Sequence, residues 1–166
     1  GSLRVNGSLA TAFGCPFTGP VGPSVVVDWA KRFLDAGIDS LSLADTIGTA
    51  TPHQIFDLCS NVIDSCPGVE VTLHLHNTRG LAIANAMSGI SAGIRRLDAS
   101  VGGIGGCPYA PGATGNVCTE DLVHALIFDG YQCAVDLDGL IAVSCDLQAL
   151  LADPLPGLVH LAGSKT

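Results

Sequence analysis

Apolar positions along this chain alternate between two rhythms, a period of two in short runs and spacings of three and four in longer ones, as strands and amphipathic helices require. LRVNGSLATAF (3–13) predicts a first strand, closed by the breaker run GCPFTGPVGP. After it Ser24 is placed to cap a helix through VVVDWAKRFLDAG, stopped at Gly37. The pattern then restarts. DSLSLAD (39–45) reads as a second strand, and Thr51-Pro52 supplies an N-cap and an N1 proline for HQIFDLCSNVIDSC, which Pro67-Gly68 ends. VEVTLHLHN (69–77) predicts a third strand, with Val69, Val71, Leu73 and Leu75 on one face and Glu70, Thr72, His74 and His76 on the other. A third helix is expected from about Thr78 to Ala92, a fourth strand over RRLDASV (95–101), and a fourth helix over TEDLVHALIFDG, capped by Thr119. Glu120 and Asp121 fall at the positive end of that helix.

Four strand-helix units in series imply a parallel sheet, either doubly wound or part of a (β/α)8 barrel. They occupy residues 1–131. Residues 132–166 read as an appended helical extension, with one more helix over LDGLIAVSCDLQALLA and a tail containing Pro154 and Pro156.

The 166 residues suffice for a hydrophobic core, and 48% hydrophobic against 13% charged residues excludes a disordered chain. Fifteen acids against seven bases give a net charge of −8, and the bases form no phosphate-tracking stripe, which argues against nucleic acid as a partner. No apolar run approaches bilayer length, and the start lacks the basic and apolar regions of a signal peptide. Seven scattered cysteines without Cys-x-x-Cys suggest neither a disulfide framework nor a structural zinc site, and fit a cytoplasmic protein.

In both architectures chemistry gathers at the carboxyl ends of the strands. Asp45, His74, His76 and Asp98 lie there, with the loop GGIGGCPYAPGATGN following. His74-x-His76 is the sharpest signal, because residues i and i+2 of a strand share a face and could bind one divalent cation. The loop from Gly102 to Gly115 reads either as a long surface loop or as a lid over the site, with Cys107 at its centre. It fits no dinucleotide fingerprint and no P-loop. Asp45 could act as acid or base, or could cap its own turn. His53, His124 and His160 receive no role, and the Gly-Cys-Pro at 14–16 reads as turn chemistry.

These residues carry a resemblance. The segment DASVGGIGGCPYAPGATGNVCTEDLVHAL (98–126), together with GCPFTG, LADTIGTATP and LHLHNTRG in the same order, resembles the 3-hydroxy-3-methylglutaryl-CoA lyases over about residues 4–150. The resemblance implies a metal-dependent barrel with His74, His76 and Asn116 as ligands to Mg2+ or Mn2+, and an acyl-CoA substrate. It implies Cys107 in proton transfer and site closure, and Asp45 in acid-base chemistry or substrate positioning. The implied reaction is a retro-Claisen cleavage to acetyl-CoA and acetoacetate.

Two departures stand out. HNTRG replaces the family's frequent His-Asp-Thr-aromatic-Gly, so Asn77 and Arg79 leave the acyl group open, and Arg79 either reads a substrate carboxylate or is a solvated first-turn residue. The family's opening strand with its Arg-Asp pair has no match here, so the chain is expected to be strands five to eight of the barrel plus the extension. It is expected to be weakly active or inactive alone, and to form a homo-oligomer. The other readings are a Claisen-condensing acyltransferase with a similar His-x-His site, and a non-catalytic half-barrel that self-associates through unpaired strand edges.

Overall fold

The computed structural model describes residues 3–106 and 115–164. Each of the four predicted strands is present and each is followed by a helix: β1 (Asn6–Leu9), α1 (Pro23–Asp35), β2 (Ser40–Asp45), α2 (Pro52–Ser65), β3 (Glu70–Leu75), α3 (Ala82–Ser91), β4 (Arg96–Asp98) and α4 (Thr119–Phe128). A single 3-10 turn, Val101–Gly103, follows β4, and α5 (Leu137–Leu150) and α6 (Val159–Ala162) form the C-terminal part. The sheet is wholly parallel in the order β1-β2-β3-β4. This is the α/β arrangement of a partial (β/α)8 barrel. No helix among the described residues is long and apolar enough to cross a membrane.

Register assigns the two faces of the sheet. Leu41 pairs with Val71, and Leu9, Leu43, Leu73 and Leu97 form one row across all four strands. Leu41, Leu43 and Leu73 are fully buried with Ile55 and Val62 of α2. The opposite face carries small and polar rows, Ser8-Ser42-Thr72-Arg96 and Ala44-His74-Asp98. The helices thus cover the leucine face, and the chemistry lies on the other. α3 approaches β3 closely because Gly89 has no side chain; a Cβ there would lie 2.5 Å from Leu73 Cδ2.

Thr51 caps α2 as predicted, and Gln54 completes a capping box, its side chain accepting from the Thr51 N–H. Other boundaries differ from the sequence expectation, each for a local reason. α1 starts at Pro23 with Gly22 at the cap, because the proline already holds the φ of a first helical residue, so Ser24 caps nothing. α3 starts four residues later than expected. Asn77 Oδ1 accepts the Ala82 N–H, and Asn77 O accepts the Gly80 N–H, which makes 77–80 a turn. Cys118, not Thr119, occupies the cap of α4, without a side-chain bond. β4 has three residues because beyond Asp98 the chain pairs with the returning segment, Ser100 donating to Val117 O and Thr119 to Ser100 O.

The edge strands are β1 and β4, and each borders an apolar groove. One, of about 330 Å³, is lined by Leu9, Val26, Trp29 and Phe33; the other, of about 440 Å³, by Ile90, Leu97, Leu126 and Tyr131.

Candidate functional site

His74 and His76 leave the end of β3 on its polar face, and their Nε2 atoms lie 3.3 Å apart. The rings are tilted at 57° with centroids separated by 5.3 Å. Two nitrogens each about 2.1 Å from one cation and about 100° apart have this separation. His74 Nδ1 lies 3.4 Å from Asp98 Oδ2, its neighbour across the sheet, an arrangement that favours a proton on Nδ1 facing the carboxylate. In the contact between the two histidines one Nε2 donates to the other, with the roles set by the tautomer; a divalent cation would be held by the two lone pairs instead.

Burial depresses the pKa of His76, and the neighbouring His74 lowers it further, while Asp45 acts in the opposite sense. His76 is therefore held toward the neutral form that binds metals. Its Nδ1 is buried without a partner.

Asn116 reaches this strand end through backbone pairing. Val117 donates to Leu75 O at 2.9 Å, Asn77 to Gly115 O at 3.0 Å, and His76 and Asn116 form an isolated antiparallel bridge. The Asn116 side chain donates from Nδ2 to Ile104 O at 3.0 Å, which fixes the amide orientation and leaves Oδ1 buried and unpartnered. Gly115 makes the close approach feasible. Its φ is +106°, and a Cβ there would strike the carbonyl oxygens of Gly103 and Gly105.

Two imidazole nitrogens and an orphaned amide oxygen suit a first-row divalent ion or Mg2+ whose remaining positions are filled by substrate or water oxygens. Among the described residues no group of three or more His, Cys, Asp or Glu is placed to hold an ion.

Asp45 stands apart from this set in its bonding. It shares the parity of Leu41 and Leu43, is 1% exposed, and receives Thr49 N–H on Oδ1 and Ala50 N–H on Oδ2, both at 3.0 Å. Burial raises its pKa, against the pull of those two amides, His76 and Arg79. Its turn is braced from outside. Arg79 Nη1 donates to Ile47 O at 2.7 Å, so the guanidinium is committed to this turn. Asn85 Nδ2 donates to Ala50 O at 2.9 Å. Gly48, at φ +60°, sits so close that a Cβ would be 2.9 Å from His76 O. The turn holding Asp45 is thereby locked against the strand end that carries the histidines.

Cys107 lies outside the described residues. The sequence reading left Asp98 without a role and gave none to Asn85, because their partners are distant in the chain. The strand-end position of Asp98, one row from His74, was the available signal.

The chain matches the HMGL-like family over residues 4–147. It is 49% identical over 156 residues to the (R)-citramalyl-CoA lyase of Chloroflexus aurantiacus, covering 94% of this chain and 49% of that protein. It is 42% identical over 153 residues to the hydroxymethylglutaryl-CoA lyase of Pseudomonas mevalonii, covering 90% of this chain and 50% of the relative. Among solved structures, an HMG-CoA lyase from Acinetobacter baumannii in complex with coenzyme A and 3-methylmalate superposes with a TM-score of 0.90 at 45% identity, over 95% of this chain and 52% of that one. The chain spans about half the length of the relatives it matches.

Proposed function

The chain belongs to the HMGL-like family, and from that membership we propose that it forms the metal-binding part of a carbon–carbon lyase acting on 3-hydroxy-3-methylglutaryl-CoA or a related 3-hydroxyacyl-CoA. The products are acetyl-CoA and, for the named substrate, acetoacetate. Within the proposal the chain supplies strands five to eight of the barrel, is weakly active or inactive alone, and associates with further copies through its sheet edges. The observation that carries the reading is the 3.3 Å approach of His74 Nε2 to His76 Nε2, with the orphaned Asn116 Oδ1 on the segment bridged to His76.

A retro-Claisen cleavage breaks the bond between the thioester α-carbon and the carbinol carbon. The hydroxyl proton leaves to a base, the carbinol carbon becomes the ketone, and the electron pair passes to the thioester enolate, which is protonated to acetyl-CoA. A divalent ion, when bound, lowers the hydroxyl pKa and stabilises the developing alkoxide. His74 and His76 would hold that ion through Nε2, and Asn116 through Oδ1. Asp98 orients His74, and the Asp45 turn buttresses His76 through Gly48. Asp45 is assigned a positioning role because both carboxylate oxygens already accept backbone N–H groups. Cys107 is assigned the proton delivered to the acetyl carbon.

A second reading, (R)-citramalyl-CoA as substrate, is favoured by the 49% identity to the Chloroflexus enzyme. An assay of acetyl-CoA release separates the two. Slow, Mn2+-dependent cleavage abolished by EDTA is expected, and the faster of the two thioesters names the acyl group. Cleavage indifferent to EDTA would overturn the metal assignment, and turnover of 1 s⁻¹ or more, roughly the lower end for enzymes, would overturn the partial-site reading. Thiol release from acetyl-CoA and a 2-oxo acid would instead assign a condensing acyltransferase.

A further inference from the structure

Glu120 is a carboxylate that the proposed chemistry leaves unused, and it is 0% exposed. Burial works to raise its pKa, yet hydrogen bonds from Ser144, its own backbone N–H, Gly102 and Cys118 together hold it below the usual value. A charge kept in the interior on such terms requires every bond it makes. Those bonds join three separated pieces of chain. Both oxygens accept the Gly102 N–H, at 3.0 and 3.1 Å, and Oε1 also accepts the hydroxyl of Ser144, a fully buried residue on α5.

The C-terminal part reinforces the same point. Gly157 donates to Gly102 O at 3.1 Å, and Leu155 fills the space beside Gly102, where a Cβ would lie 2.7 Å from Leu155 Cδ1. Asp121, next to Glu120, accepts the N–H groups of Leu158 and Val159. Two residues beyond Gly102, the chain becomes the bed of Asn116. Ile104 O accepts Asn116 Nδ2, and Gly105 O accepts the Asn116 N–H at 3.0 Å.

We propose that Glu120 is a positioning residue: it latches the C-terminal helices to Gly102 and through residues 102–105 sets Asn116 against the end of β3. The proposal rests on Asn116 as a metal ligand for its functional consequence, and on the hydrogen bonds of the Glu120 carboxylate to Gly102 and Ser144 for the latch itself.

The test uses the 166-residue chain with Glu120→Gln, which keeps the side-chain volume but removes the charge and one acceptor oxygen. Amide hydrogen exchange is read at Asn116 and Val117, with Leu43 and Leu73 as references, and Mn2+ affinity is read at a temperature where circular dichroism shows the variant folded. Exchange at least tenfold faster at Asn116 and Val117 alone, with Mn2+ bound about tenfold more weakly, is the expected result, a size typical of groups that orient metal ligands. Exchange that accelerates uniformly, or Mn2+ affinity that stays at the wild-type value, would overturn the proposal, since a purely structural role predicts both. If the unaltered chain takes up no Mn2+, the metal reading fails, and the exchange pattern alone then decides the latch: a local acceleration supports it, a uniform one or none overturns it. Should Glu120→Gln fail to fold, Ser144→Ala leaves Glu120 in place and cuts only the link to α5; the same readouts then apply, with about threefold effects expected.

Discussion

Substituting His76 by alanine is expected to abolish saturable Mn2+ uptake, weakening binding by on the order of 100-fold or more, beyond what loss of an outer-shell partner causes. The expectation follows from how the pair is built. Neither imidazole alone encloses a cation, and the 3.3 Å separation of the two Nε2 atoms is what would let them chelate one. His76 also carries the larger burden of preparation, because its burial is what keeps it neutral. Removing it leaves His74 half exposed, with Asp98 as its remaining partner. His53→Ala is the control, since that side chain is largely exposed on α2 and pairs with Asp57. Titration calorimetry reads both variants, and equal Mn2+ affinity in the two would refute the shared site.

The second large effect is expected at Gly115. Alanine there must hold a left-handed backbone, at about 1–2 kcal/mol, and must also displace two carbonyl oxygens that belong to backbone and cannot rotate away. The combined cost is roughly 3 kcal/mol, which in a chain of this size lowers Tm by roughly 6–12 °C if fully felt. Because Gly115 directly precedes Asn116, Mn2+ binding should weaken in parallel. Gly106→Ala, where an added Cβ meets open space, isolates crowding from the change of residue type and should leave both quantities unchanged. Thermal melts of the two variants would contradict this account if they coincided.

Legibility in the sequence followed the range of the interaction. Thr51, Pro52 and Gln54 lie within four residues, and their capping box could be anticipated from spacing. His74 and His76 were readable because a strand's period puts i and i+2 on one face. Asn116 carried no such pattern. Its place beside His76 depends on Val117 reaching Leu75 across some forty residues, and it entered the sequence reading only through the resemblance to the lyases. Glu120 lies in the first turn of α4 as expected, but its long-range role was illegible for the same reason. There it serves the helix end, and in addition it bonds Gly102 and Ser144, 18 and 24 residues away. At Ser24 two local signals competed, a hydroxyl cap against an N1 proline, and the fixed φ of Pro23 prevailed.

The groove beside β1 holds the chain's one tryptophan. Trp29 is half exposed, with the Arg32 guanidinium 4.1 Å from its ring centre. Its indole emission therefore originates at a single edge of the sheet. A surface that packed over this groove would desolvate that ring or displace that cation, so this edge of the sheet carries its own optical reporter.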